Sequence, residues 1–420
     1  MEQRMEILPG VFLTAVQTEK FKTGCCSLNL LRPMARAEAA ANALVPSVLL
    51  RATARHPDIR SISAHLDELY GASLGPLVRK KGEVQTTGFF ADFIEDRFAG
   101  APVFRQTAEF LGEVLLDPAL ENGAFLPDVV SGERLNLENT IAARINDKRT
   151  WATSELLRVM CAGEAYGVPR LGELEDVRAL DEKTLYAHYR ALLTHSQVEI
   201  FYMGSQSPDA AAEAFREALR DLPRGELTPC GTVVVPKADA VRSEERALDV
   251  TQGKLVLGFR TGCTLTDAEF PALLMMNAIY GGGITSKLFM KVREEMSLCY
   301  YAMSTLEKFK GVMLVSSGID CAQRDVAQAE ILRQLDAVRA GDISDYEFES
   351  ARRYLRSSLS TGMDSPGRLD DFQMGQIIAG QPDTMQALSE RIARVTKDDV
   401  AAAARRVSLD TVFFLKGVQA

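Results

Sequence analysis

The sequence predicts an α+β fold of two homologous halves, each a mostly antiparallel sheet with helices packed on one face. Three observations support this fold class. The chain has 420 residues, more than one ordinary domain. The order of its predicted elements recurs in the second half. Pairs of apolar runs suited to hairpins alternate with helical segments, which is typical of antiparallel sheets. The predicted domains are 1–222 and 246–420, joined by a Pro- and Gly-containing linker at 223–245.

Each half begins with the same local order of strand, polar break and helix. In the first half this is CCSLNLL followed by the apolar helix NALVPSVLLRAT, and in the second it is KLVLGFR followed by a helix that ends at Gly281-Gly282-Gly283. Next comes a helix and then two runs joined by a basic-Gly turn, Lys80-Lys81-Gly82 or Lys310-Gly311. Both halves finish with a helix and a strand. The repeated order therefore predicts two similar units.

Composition excludes several functional classes. The net charge of −9 is spread without a long basic run, which argues against a nucleic-acid partner. No uninterrupted apolar stretch is long enough for a transmembrane helix, and the N-terminus lacks the pattern of a secretory signal. The seven cysteines contain no CxxC pair, so we expect buried free thiols in a reducing compartment. These features predict a cytoplasmic protein that binds neither nucleic acid nor membrane.

The segment YGGGITSKLFMKVREEMSLCYYAMS (280–304) carries a family resemblance. It resembles the second-half signature of the pitrilysin, insulysin and mitochondrial processing peptidase family of zinc metallopeptidases, in which an arginine is followed by a tyrosine. Those positions are Arg293 and Tyr300 here. The segment YGVPRLGELEDVRAL (166–180) resembles a family loop as well. The resemblance extends in order over nearly the whole chain, and it implies the duplicated two-domain fold.

The first-half zinc motif of that family is absent. Active members carry His-x-x-Glu-His on the first-half helix, and the alignment of LLRAT (49–53) with the segment that follows the motif places Ala43, Pro46 and Ser47 at the motif positions. Both zinc-binding histidines and the general-base glutamate are missing there. A zinc hydrolase needs three converging protein ligands and a base beside the bound water. We therefore expect no metal on this chain.

The remaining candidate ligands do not replace the motif. No two histidines have the i, i+4 spacing that would put two ligands on one helical face, and each is expected to be a surface or partly buried residue: His56, His65, His188 and His195. Glu133 lies near the place that the resemblance assigns to the distal glutamate ligand. We expect it to be an ordinary helix-surface residue.

The resemblance implies a role for Arg293 and Tyr300, since in the family the arginine holds a substrate carbonyl or carboxylate and the tyrosine donates to the oxyanion. A structural reading is also open: Arg293 could pair with Glu294, and strand alternation alone would turn one of Tyr300 and Tyr301 inward. The functional prediction is an inactive homologue that completes the site of an HxxEH-bearing, zinc-containing partner acting on peptides. The alternative is a solitary or homodimeric peptide-binding scaffold without hydrolysis.

Overall fold

A computed structural model describes residues 2–418, which form two compact units. The first unit comprises the chain up to Ala142 together with Val168–Gly231, and the second comprises Ala143–Gly167 together with the chain from Thr232 onward. The segment Ala143–Gly167 thus belongs in space to the second unit although it lies within the first half of the sequence. The predicted domain boundaries follow the duplication in the sequence, and they stay a prediction.

The strands occupy both halves of the chain: β1 (Glu2–Leu8), β2 (Val11–Gln17), β3 (Thr23–Pro33), β4 (Ser73–Lys81), β5 (Val84–Ile94), β6 (Leu120–Glu121), β7 (Ala124–Phe125), β8 (Gln197–Gly204), β9 (Arg242–Leu248), β10 (Gly253–Arg260), β11 (Cys299–Glu307), β12 (Val312–Ile319) and β13 (Ser408–Gly417). Short 3₁₀ turns (143–146, 165–167 and 321–323) and two π-helical segments, Ala278–Gly282 and Leu288–Glu295, interrupt the regular helices.

The α-helices are α1 (Arg36–Leu49), α2 (Ile59–Glu68), α3 (Asp96–Ala99), α4 (Val103–Leu116), α5 (Pro127–Ala142), α6 (Lys148–Met160), α7 (Leu174–Arg178), α8 (Glu182–His195), α9 (Pro208–Ala218), α10 (Phe270–Asn277), α11 (Arg324–Arg339), α12 (Asp345–Gly362), α13 (Pro366–Ala379), α14 (Met385–Arg394) and α15 (Lys397–Arg406).

The two main sheets have the same topology, which confirms the predicted fold class. The first sheet has the order β1-β2-β8-β3-β5-β4, and the second has the order β9-β13-β10-β12-β11. In each sheet one pair of strands is parallel, β2 with β8 and β9 with β13, and the other pairs are antiparallel. Strand β1 is the only one of these without a counterpart. The order of elements that repeats in the sequence is therefore a repeated strand order in space.

The two basic-Gly turns form the predicted hairpins. Gly82 joins β4 to β5 with φ of 57°, and Gly311 lies between β11 and β12 with φ of 66°. A left-handed backbone at these positions favours glycine, because a Cβ atom would be strained there. Gly82 begins a two-residue loop that closes on Lys81 opposite Val84, and Gly311 ends a four-residue loop that closes on Glu307 opposite Val312.

Helices cover one face of each sheet, and in the second unit α6 also covers the opposite face. Leu255 and Leu257 of β10 face the main helical core, whereas Val256 between them packs with Leu156 and Met160 of α6. The alternating side chains of β10 are apolar on both sides, as expected for a strand that is buried on both faces.

A buried ion network fixes the segment after α6 to the second sheet. Arg260, which is 1% exposed, binds Asp410 at 2.7 Å and Glu164 at 2.6 Å. Lys310, from the hairpin turn, binds the same Glu164 carboxylate at 2.7 Å. Burial opposes ionisation of Glu164, but the hydrogen bonds from Arg260 and Lys310 outweigh it and lower the pKa of this carboxyl.

Candidate functional site

The helix that would carry the zinc motif is intact and buried. Ala43 is 5% exposed, Pro46 is buried and Ser47 is partly buried, all within α1. Pro46 has no N–H, so the carbonyl of Asn42 loses its helical partner four residues on. Thr87 of β5 replaces that partner, since its Oγ1 donates to the Asn42 carbonyl oxygen at 2.5 Å. The proline at the general-base position is thus accommodated by a specific hydrogen bond from the sheet.

Neutral amides fill the surroundings of this turn. The Asn42 Nδ2 donates to Gln85 Oε1 at 2.8 Å, and Asn42 Oδ1 accepts from His188 Nε2 at 2.7 Å. Gln85 Nε2 in turn donates to the carbonyl oxygens of Ala39 and Arg170, at 3.1 and 2.7 Å. Burial lowers the pKa of His188, which favours the neutral imidazole, and the bond to Asn42 requires that its proton lies on Nε2. His188 is therefore part of a structural network.

Glu133 is buried at 9% exposure, so the expectation of a surface residue was wrong. It lies on α5, which packs against α1, and its Oε1 accepts from Arg51 Nε at 2.7 Å and from Asn136 Nδ2 at 3.0 Å. The guanidinium and the amide thus both bind one oxygen of this carboxylate and hold it in place. Together with alanine, proline and serine at the motif positions, this donor set does not fit a zinc ion.

The structure brings together two histidines, His56 and His65, that lie nine residues apart in the sequence. The rings of His56 and His65 lie 4.7 Å apart, against Phe110. His56 Nδ1 bonds Glu113 Oε1 at 2.6 Å, and Arg55 pairs with the other oxygen of Glu113 at 2.5 Å. No group of three or more His, Cys, Asp or Glu side chains within residues 2–418 is arranged to hold a metal ion.

The second unit contains an open pocket of about 700 Å³. Its walls come from the glycine turn at 281–283, the π-helical segment Leu288–Glu295, strand β11 and helix α12. The glycine turn approaches β11 closely: a Cβ on Gly281 would lie 2.7 Å from the Ser304 nitrogen, whereas one on Gly283 would meet open space. Gly281 is thus required for packing, and Gly283 borders the pocket.

Arg293 lines this pocket from the π-helical segment. Its side chain is 41% exposed, and its guanidinium lies 4.6 Å from the centre of the Phe289 ring. Arg293 forms the ion pair with Glu294 that the sequence left as an alternative. The Arg293 Nε and Glu294 Oε1 atoms are 3.5 Å apart, and both side chains are well exposed. Such a pair contributes little, about 0–1 kcal/mol. The Arg293 guanidinium is consequently available to a ligand.

Tyr300 and Tyr301 have different environments. Pairing with β12 is irregular between Cys299 and Tyr301, and Tyr300 at this irregularity is 74% exposed and outside the pocket lining. Tyr301 lines the pocket, lies 4.3 Å from the Arg149 guanidinium, and has its pKa raised by burial. The structure therefore places Arg293 and Tyr301 on one pocket and leaves Tyr300 on the surface. Simple alternation did not reveal which tyrosine turns inward, because the irregular pairing lies between them.

In the part of the chain that the structure describes, no helix combines the length and apolar character needed to cross a membrane.

The fold and the degenerate first-half helix define a metallopeptidase-like protein that lacks the zinc-binding motif. A family model described as "Peptidase M16 inactive domain" matches residues 179–355. The chain is similar to "Probable inactive metalloprotease YmfF" of Bacillus subtilis, with 33% identity over 416 residues, 98% of this chain and 96% of that protein. The chain belongs to the M16 peptidase family as an inactive metalloprotease homologue. The family predicted from the residues is thereby confirmed.

Two further similarities extend this result. An "Uncharacterized zinc protease" of Streptomyces coelicolor is 28% identical over 306 residues, 69% of this chain and 66% of that protein. A solved structure of a conserved protein from Enterococcus faecalis V583 superimposes with a TM-score of 0.92 and 27% identity, covering 100% of this chain and 99% of the other. The duplicated fold thus extends over the full chain.

Proposed function

We propose that this chain is the non-catalytic subunit of a two-chain peptidase, in which it supplies Arg293 and Tyr300 to the zinc site of an HxxEH-bearing relative. One contrast carries the proposal. The α1 turn is filled by a neutral network around Asn42, whereas Arg293 keeps a partly exposed guanidinium at an open pocket. The exposed Arg293 guanidinium at an open pocket supports a role for this chain in binding substrate.

The two side chains suit the roles proposed for them. A guanidinium presents two parallel N–H donors to a substrate carboxylate or carbonyl oxygen. A phenol donates a hydrogen bond to a developing oxyanion. Tyr300 is 74% exposed, so its hydroxyl is accessible to a substrate held by another subunit. Zinc belongs to the partner in this proposal, because the donor set around α1 does not fit the ion.

The second candidate is a solitary or homodimeric protein that holds peptides in its cavity without hydrolysis. The pocket favours it, since its volume of about 700 Å³ and its mostly apolar walls are typical of ligand sites. The two candidates differ in whether Arg293 has an effect only when a zinc-bearing partner is present.

The test is hydrolysis of a quenched fluorescent peptide library. The assay buffer is reducing and near neutral pH, because we propose a cytoplasmic location. This chain, its HxxEH-bearing relative from the same genome and the two mixed are assayed separately, and zinc in each purified protein is measured by mass spectrometry. We expect activity in the mixture, loss of it with a chelator, and no stoichiometric zinc on this chain alone.

Two results would contradict the proposal. Equal hydrolysis by the relative alone and by the mixture, with no complex by size-exclusion chromatography, would exclude a subunit role. A stoichiometric zinc ion on this chain alone would show that a metal site exists outside the motif positions.

A further inference from the structure

The pocket in the second unit has a charge bias that extends beyond Arg293, the single arginine used in the proposed subunit role. Among the described residues that line it, two are arginines, Arg293 and Arg353, and none is an aspartate or a glutamate. The arginines come from different elements, the π-helical segment Leu288–Glu295 and helix α12. Within a chain of net charge −9, an arginine pair without a carboxylate on the same pocket is a local departure from the average.

The carboxylates nearest in sequence do not neutralise this pair. Glu349, one turn before Arg353 on α12, is bound by Arg352 at 2.9 Å. Glu294 is 3.5 Å from the Nε of Arg293 at an exposed position. Arg353 is exposed, and no ion pair of its guanidinium occurs within residues 2–418. The two guanidinium groups therefore give this pocket an excess of positive charge, which an anionic ligand would balance.

The rest of the pocket wall is apolar. Phe289 and Tyr354 contribute aromatic rings, and Tyr301, Ala302 and Met303 follow one another along β11. Because consecutive strand side chains point to opposite faces, contact with three residues in a row means that the pocket runs along the strand itself. A pocket that runs along a strand suits an elongated ligand such as a segment within a peptide, whose carboxylates are on its side chains.

We propose that this pocket recognises an acidic segment of a peptide, in which an aspartate or glutamate side chain lies between Arg293 and Arg353 and a neighbouring large apolar side chain packs on Phe289. The inference rests on the proposed peptide-handling function and adds its substrate class. The volume of about 700 Å³ exceeds one side chain and suits a short segment. A carboxylate bound by two guanidinium groups makes charge-assisted, bidentate hydrogen bonds, which supply the selectivity.

The test is direct binding of labelled peptides to the full chain, with no partner and no zinc present. The probe is a fluorescein-labelled, C-terminally amidated decapeptide with a central Leu-Glu-Phe sequence, measured by fluorescence anisotropy. Matched peptides replace the glutamate with glutamine or lysine, and one glutamine peptide has a free C-terminal carboxylate. We expect the glutamate peptide to bind about tenfold more tightly than the glutamine peptide, and the lysine peptide to bind most weakly.

Variants of the chain locate the effect. Arg353→Gln is expected to abolish the tenfold preference for glutamate. Arg356→Gln, at an exposed position three residues further along α12 and outside the pocket, is expected to leave it unchanged. Gly283→Phe is expected to weaken all the peptides at least tenfold by filling the pocket. Gly283 has an extended backbone, φ −153°, and open space at its Cβ position, so the variant should fold, which circular dichroism checks.

The outcomes separate this inference from the subunit proposal. Equal binding of the glutamate and glutamine peptides, or a preference only for the free C-terminal carboxylate, would overturn the acidic-segment assignment. Selective binding by the chain alone without a gain of hydrolysis on mixing would leave this assignment in place and contradict the two-chain peptidase.

Discussion

The α1 turn of the first unit and the arginine-lined pocket of the second follow corresponding strands, β3 and β10, yet they have opposite character. In the α1 turn the polar groups of Asn42 meet neutral partners inside the protein: Thr87 binds the Asn42 carbonyl, and Gln85 and His188 bind its side chain. At the pocket, Arg293 remains partly exposed beside an open volume. The difference is that internal hydrogen bonds close the region around α1, whereas the second region has an open surface that a ligand could reach.

The largest effect on stability should come from removing the hydrogen-bond network around Asn42. Asn42→Ala leaves Gln85 and His188 buried without their partner, and each unsatisfied polar group costs about 1–3 kcal/mol. We expect the free energy of unfolding to fall by about 3 kcal/mol in urea denaturation. Ser47→Ala on the same helix is the control and should change stability by less than about 0.5 kcal/mol. Equal effects of both variants would show that the network around Asn42 is not a stabilising feature.

Removing the guanidinium of Arg293 at the pocket should affect activity instead of stability. Arg293→Ala is expected to lower kcat/KM of the mixed peptidase about 100-fold, the scale for loss of one preorganised charged donor. Stability should change by less than about 0.5 kcal/mol, because the Arg293 pair with Glu294 is exposed. Assembly is followed by size-exclusion chromatography. A loss of assembly that parallels the loss of turnover would assign Arg293 to the interface and not to the substrate.

The two neighbouring tyrosines should show the same division, one affecting turnover and the other affecting stability, with smaller effects. Tyr300→Phe is expected to lower turnover of the mixture about tenfold without changing stability, since its side chain is exposed. Tyr301→Phe removes the 3.3 Å contact between its hydroxyl and Ser316 Oγ, and should cost about 1 kcal/mol of stability. If Tyr301→Phe is instead the variant that impairs turnover, the catalytic role belongs to the inner tyrosine.

The smallest effect is on the pH dependence of stability, through the neutral imidazole of His188. Burial lowers the pKa of His188 in the folded state, although the Glu38 carboxylate opposes this, so the unfolded chain binds the proton more readily. The contribution of His188 is therefore constant above its unfolded pKa of about 6.5 and is lost as pH falls below it, by at most about 1.4 kcal/mol per pH unit. Comparison of stability from pH 7 to pH 5 between the wild type and His188→Gln isolates this term. Parallel curves would mean that His188 titrates normally when folded.

The repeated strand order and the absence of the zinc motif could be predicted from the sequence, because both depend on residue type and order alone. Other features could not. The burial of Glu133 depends on Arg51, a residue distant in sequence, and the contact of His56 with His65 depends on packing against Phe110. The inward position of Tyr301 depends on a local irregularity of pairing. Each of these requires a tertiary contact or a register shift that no periodic pattern encodes.

The position of α6 has a consequence for the history of the chain. The polypeptide contributes to the first unit, then provides Ala143–Gly167 to the second, returns at Val168, and leaves again at Thr232. A gene cut between the two repeats would therefore separate Glu164 from Arg260 and Lys310 and uncover the α6 face of β10. Two separately encoded halves would therefore need another way to cover that face of the sheet and to pair Arg260 and Lys310.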